Sequence, residues 1–225
     1  VTKALTALVF LVVTIVAGVY WSAKMSDGDK GEGFYPWNVR QVDGTTEVFG
    51  LRLGQSTMEQ GLNNFESSAE VSLFVPEHGD YVVEAFFDDV QLQGLGAVVV
   101  LVADLDQAAM QQMFARGERI STLGSGSRKV SLTEADLQLV RSARIASITY
   151  LPKIDLSAEQ VLNRFGEPAQ RIQENDSDAV HWLYPAKGLD VVISDDEKEV
   201  LQYLPPSRFA EFSLKLMQHG ADVVD

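Results

Sequence analysis

The chain has 225 residues and a formal net charge of −14, with 18 Lys and Arg against 32 Asp and Glu, 46% apolar residues and no cysteine. No run of clustered Lys and Arg offers a phosphate backbone its counter-charge, so composition argues against nucleic acid, and the acidic balance disfavours anionic lipid surfaces. The missing thiols exclude disulfides, thiolate nucleophiles, cysteine-type zinc and iron–sulfur sites, and an N-terminal lipid anchor.

Residues 4–23 carry no charge and are nearly all apolar. As a helix they would extend about 30 Å, the thickness of a bilayer's hydrocarbon core, and Tyr20 and Trp21 would lie at the interface. The segment is therefore expected to be a retained single-pass transmembrane anchor over 1–23, contacting lipid through 4–23. Trp21 sits badly at the position a signal-peptide cleavage site would need. Ala4, Ala7, Leu11, Thr14 and Gly18 follow a 3-4-3-4 spacing, a small-residue seam that would dock on a transmembrane helix of an integral membrane partner. Without the anchor and its one cation, Lys3, the chain has 17 basic and 32 acidic residues. This acidic portion is expected outside a bacterial inner membrane, in the periplasm.

Residues 24–47 read as a polar, Gly-rich linker followed by a juxtamembrane aromatic segment. There Phe34, Tyr35 and Trp37 flank Pro36 and are candidate partner-binding residues, with coverage of their own domain's edge as the alternative. A first α+β module is expected over 48–144 and a second over 145–225. Residues 59–65 and 159–165 match at five of seven positions at an offset of 100. Ser56 and Ser157 are expected N-caps, and Leu62/Phe65 and Leu162/Phe165 give each helix an apolar edge.

Alternation and turn residues predict strands over 70–75, 81–87 and 97–102 in the first half. A helix over 106–116 and a connector at Gly124–Ser127 follow. In the second half, strands are predicted over 145–151, 179–184, 189–193 and 200–204. A C-terminal helix is predicted over 207–219, with Phe209, Phe212 and Leu216 on one face. The fold class expected is thus α+β: a transmembrane helix, then two related helix-plus-antiparallel-sheet modules.

No constellation for chemistry is evident. His78, His181 and His219 show no metal-ligand spacing with one another or with carboxylates, and His181 reads as a packed or hydrogen-bonded sheet residue. Asp88-Asp89 and Asp195-Asp196 fit turns and solvated edges. Glu174–Asp178 is rich in oxygens but lacks the glycine and distal glutamate of a calcium loop. No cofactor, metal or enzymatic activity is expected.

Leu156–Pro168 (a helix ending Phe165-Gly166-Glu167-Pro168), Trp182-Leu183-Tyr184 and the strand at 189–193 together resemble the SmpA/OmlA-like module. That module occurs in lipoproteins of the outer-membrane assembly machinery, and beta-lactamase inhibitory proteins carry similar modules in tandem. The resemblance covers about 50 residues well and a similar stretch near 48–102 weakly. It implies non-catalytic work: scaffolding, or binding proteins through the sheet and its loops. The expected function is an accessory or assembly subunit of a larger bacterial membrane complex. The alternative is a membrane-tethered periplasmic ligand- or inhibitor-type binding protein.

Overall fold

A computed structural model describes residues 34–76, 80–124, 126–175, 177–195, 197–218 and 220–223. It opens with a three-stranded antiparallel sheet, β1 (Arg40–Val42), β2 (Thr45–Val48) and β3 (Leu51–Arg52). Its two connections are the two-residue turns Asp43-Gly44 and Phe49-Gly50, with all four residues at positive φ. This geometry matches the right-handed twist of the strands they join. Phe49 is a bulky residue in a region that glycine and asparagine normally fill. Its fully buried ring is held there by Phe65, Tyr150 and Tyr203, with centroids 5.6 to 6.1 Å away.

The rest of the chain alternates helices with strands of one larger sheet. In order these are α1 (Met58–Asn64), β4 (Glu70–Val75), β5 (Val82–Leu92), β6 (Leu95–Asp104), α2 (Gln107–Ala115), β7 (Arg119–Thr122), β8 (Arg128–Ser131), α3 (Glu134–Ser142) and β9 (Arg144–Pro152). There follow α4 (Ala158–Phe165), β10 (Gln170–Glu174), β11 (Val180–Tyr184), β12 (Leu189–Ile193), β13 (Val200–Tyr203), α5 (Pro206–Met217) and β14 (Gly220–Asp222). The sheet has eleven strands in the order β14-β10-β11-β12-β13-β9-β6-β5-β4-β8-β7, every pair antiparallel.

This architecture corrects the expected one. Strands make up 41% of the described residues and helices 27%, and both halves belong to one sheet rather than to separate modules. The join is β9 against β13, with Tyr150 opposite Leu201 and Ile148 opposite Tyr203. Two separate modules would each leave a long hydrophobic edge strand unpaired; joining them satisfies both edges at once. The helix expected to cross a membrane is not among the described elements. Among the described residues no helix is long and apolar enough to cross a membrane, and the longest, α5, has 12 residues. The expected anchor over 4–23, with Ala4, Ala7, Leu11, Thr14 and Gly18, lies outside the described residues, as do His78 and His219.

The matching segments 59–65 and 159–165 share a local device. Thr57 caps α1 and Ser157 caps α4, and each accepts from the backbone N–H of a glutamine three residues on, while that glutamine's side chain accepts from the cap's own N–H. The expected cap Ser56 instead accepts from the Arg52 N–H, because the helix begins one residue later.

The two sheet faces are covered differently. One packs Ala85, Leu101, Ile148, Tyr203 and Val191 against α1 to α4 and the β1–β3 sheet in the main core. The other carries Val100, Leu151, Val192 and Val200, and at its β10–β11 end Ile172 and Leu183 pack under Phe209 and Phe212 of α5. The C-terminal helix closes core there, on the residues its periodicity selects.

Candidate functional site

Two places collect side chains capable of more than packing. The first is the aromatic segment at the start of the described chain. Phe34, Tyr35 and Trp37 are half-buried, and Phe34 and Trp37 pack against the core. Pro36 between them is tied down because its carbonyl accepts from the buried Tyr203 hydroxyl at 2.8 Å. The Phe34 ring lies beside Gly50, close enough that an added Cβ there would be in ordinary contact with it at 3.7 Å. Tyr35 stacks on Trp37 at 4.9 Å with an interplanar angle of 11°, and the Arg164 guanidinium of α4 stands 4.1 Å from the Trp37 ring.

Beside this stack is a cleft of about 370 Å³, lined by Trp37, Asn38, Arg40, Glu47, Val48 and Gly50. Its charge is ordered: Glu47, a nearly buried carboxylate, accepts from Arg52 at 2.8 Å and pairs with Arg40. The Arg52 bond outweighs the cost of burial and, with Arg40, holds the Glu47 carboxyl below its usual range. The Arg40 side chain itself stays 71% exposed at the rim.

The second place is the sheet face opposite α1 to α4. His181 on β11 is fully buried, with Nδ1 2.7 Å from Asp190 Oδ2 and Nε2 3.0 Å from Glu174 Oε1. Burial alone would lower the imidazole's pKa; attraction to Asp190 and the hydrogen bonds to both carboxylates overcome it and carry the pKa to about 10. The group is therefore an imidazolium between two carboxylates, with both N–H groups committed. Glu174 is held low by His181 and by the Ser177 hydroxyl, which donates to it at 2.7 Å. Asp190 Oδ1 is buried with no hydrogen-bond partner among the described residues.

Five strands from β11 on the same face is Glu84 of β5, 1% exposed, opposite Ser72 and Val102. Its Oε1 has no hydrogen-bond partner among the described residues, and burial raises its pKa to about 7 against a weaker opposing pull from Lys129. Both Glu84 and the Glu174–His181–Asp190 cluster were missed in sequence. The available signal was a charged residue inside an alternating run: Glu84 within 82–87 and Asp190 within 189–193.

Of the other acidic pairs, Asp88 and Asp89 lie at a bulge in β5 rather than in a turn, and Asp89 pairs with Lys153 at 2.6 Å. Asp178 accepts from Ser194 and from the Asp195 N–H, tying two loops together. Asp176 and Asp196 lie outside the described residues. Among the described residues no group of three or more His, Asp or Glu side chains converges as a metal cage would. No family model, curated protein or solved structure matches the chain.

Proposed function

We propose that the chain is a non-catalytic accessory subunit that binds a partner protein within a larger complex. The observation carrying this reading is the cleft beside Trp37. Trp37 and Arg40 line it, and Tyr35 and the Arg164 guanidinium lie against the same half-buried Trp37 ring. Trp, Tyr and Arg supply most of the energy at protein interfaces, because each combines a large apolar surface with a polar end. Elsewhere on the sheet, His181 is buried and engaged with Glu174 and Asp190, and Glu84 is buried away from solvent, which suits architecture better than turnover. The resemblance of Leu156–Pro168 and Trp182–Tyr184 to SmpA/OmlA-like modules implies the same kind of work.

A second reading, a site for a small ligand, draws on the cleft's size alone, since about 370 Å³ is at the lower end of ligand pockets. Cross-linking in the native host, followed by native mass measurement, separates the two. The subunit reading expects a stoichiometric protein complex that Trp37→Ala and Arg40→Glu disrupt while the fold stays intact. A monodisperse monomer, or a complex indifferent to both changes, overturns it.

A further inference from the structure

The eleven-stranded sheet ends on β7, whose four residues are all exposed and which, among the described residues, pairs only with β8. The Leu123 N–H donates to the Ser127 carbonyl at 2.8 Å where the hairpin closes. Antiparallel pairing alternates, so Ser121 and Arg119 direct their backbone groups to β8 while Ile120 and Thr122 turn theirs outward. The apolar side chain at this rim is also unfinished. Ile120 lies opposite Val130, which is fully buried in the main core, yet Ile120 is 49% exposed.

The charge at the rim is the reverse of the molecule's. Residues 116–131 contain Arg116, Arg119, Arg128 and Lys129 against Glu118 alone, a local balance of +3 in a chain of −14. Arg116 is committed to Asp136 and Lys129 to Glu70. Arg119 and Arg128 remain at the exposed rim, with Arg128 resting 4.8 Å from the Phe114 ring.

We propose that β7 is a docking edge for an acidic, extended segment of a partner protein, added antiparallel to the sheet. Main-chain bonds to Ile120 and Thr122 provide the pairing, and an apolar residue beside Ile120 completes the core face. Arg119 and Arg128 select acidic side chains. A second copy of this chain fits poorly, because pairing β7 with itself would crowd like charges and bring two strongly acidic bodies together. The proposal extends the binding-subunit reading but uses a different strand from the cleft.

The test is fluorescence anisotropy of the intact protein with a labelled short peptide alternating Glu and Val. Its Lys–Val counterpart and an alternately N-methylated Glu–Val version serve as controls. The Glu–Val peptide is expected to bind and to weaken with salt, while N-methylation, Ile120→Pro or Thr122→Pro each costs about tenfold or more in affinity. The proline positions are those whose N–H points outward, so the internal ladder keeps its bonds; circular dichroism checks the fold, and the N-methyl peptide leaves the protein untouched. Arg119→Glu is expected to weaken binding and flatten its salt dependence. Absent binding, equal binding of the Lys–Val peptide, indifference to N-methylation, or self-association abolished by Ile120→Pro each overturns the proposal. A cellular complex indifferent to Trp37→Ala and Arg40→Glu, with peptide binding intact, counts against the cleft alone.

Discussion

The His181 imidazolium donates from Nδ1 to the Asp190 carboxylate across 2.7 Å, and neither side chain is exposed. Such a pair is retained only while both members are present, since removing one leaves the other as an uncompensated buried charge. Asp190→Asn is expected to destabilise the fold by about 3–5 kcal/mol and to bring the His181 pKa down, because burial then opposes protonation with only Glu174 against it. Denaturant unfolding and a histidine NMR titration measure the two effects.

The same pair sets a pH dependence. The imidazole's pKa is about 10 in the fold against an ordinary value of 6.5. Its contribution is complete below the ordinary value and lost as pH rises towards the folded one. His181 resonances are therefore expected not to titrate between about pH 5 and 8, while its share of stability declines through that window's upper part and beyond. An imidazole titrating near neutrality in the folded protein would contradict the buried ion cluster.

Glu84 predicts a gain rather than a loss. Below about 4.5 both folded and unfolded chains hold its proton; between there and about 7 the unfolded chain releases it while the fold keeps it, so stability falls as pH rises. Glu84→Gln removes that penalty while keeping the shape. It is expected to stabilise the protein by up to about 3 kcal/mol above pH 7, since each tenfold change in proton affinity is worth about 1.36 kcal/mol, and by little at pH 4.5. Urea midpoints across pH test both the size and the direction.

These groups also show how far the sequence could be read. The strands at 70–75 and 189–193 fall where alternation and turn residues place them, and Asp106 caps the helix after it. Local rules act within a few residues, and these elements obey them. The joining of β9 to β13 depends on residues some fifty positions apart, and no periodicity announces it. Neither were β1 to β3 anticipated, nor α3, whose cap Thr133 and first-turn acids Glu134 and Asp136 are ordinary helix-start signals. The aromatic trio 34–37 was legible by composition alone, whereas its Arg164 neighbour comes from the other half of the chain. Glu174 stood out as part of an oxygen-rich loop, but strand pairing directs its carboxylate back to His181.

The repeated capping boxes invite a paired comparison. Thr57→Ala and Ser157→Ala each remove a side-chain acceptor from a helix N-terminus and are expected to cost about 1 kcal/mol, within a range of about 0.5–2. The helices are short, with seven and eight residues, so little intrinsic helicity compensates. Because the caps lie in different halves of one cooperative sheet, the double variant is expected to lose the sum of the two in a single transition. Two separate unfolding transitions would show instead that the halves fold independently.

Gly188 is where a single methyl group should do the most harm. The residue ends a 3-10 turn, Pro185–Lys187, with φ at +61, a left-handed conformation that already disfavours a side chain. A Cβ there would also collide with the Leu204 carbonyl oxygen and the Thr46 hydroxyl. Neither neighbour can retreat cheaply. The Leu204 N–H donates to the Gly188 carbonyl at 2.8 Å, and the Thr46 hydroxyl donates to the Leu204 carbonyl at 2.8 Å. Moving either would part the small N-terminal sheet from the β12–β13 end of the large one. Gly188→Ala is expected to cost more than the ~1 kcal/mol of left-handed strain alone, and about 3 kcal/mol or more once the contact is displaced. Thr46→Ala separates the causes: it removes one obstacle and one hydrogen bond, for about 1 kcal/mol by itself. The double variant should recover part of the Gly188→Ala loss if steric contact dominates. A Gly188→Ala protein with an unchanged denaturation midpoint would show that the close approach of Gly188 to Leu204 is not how the N-terminal sheet is held.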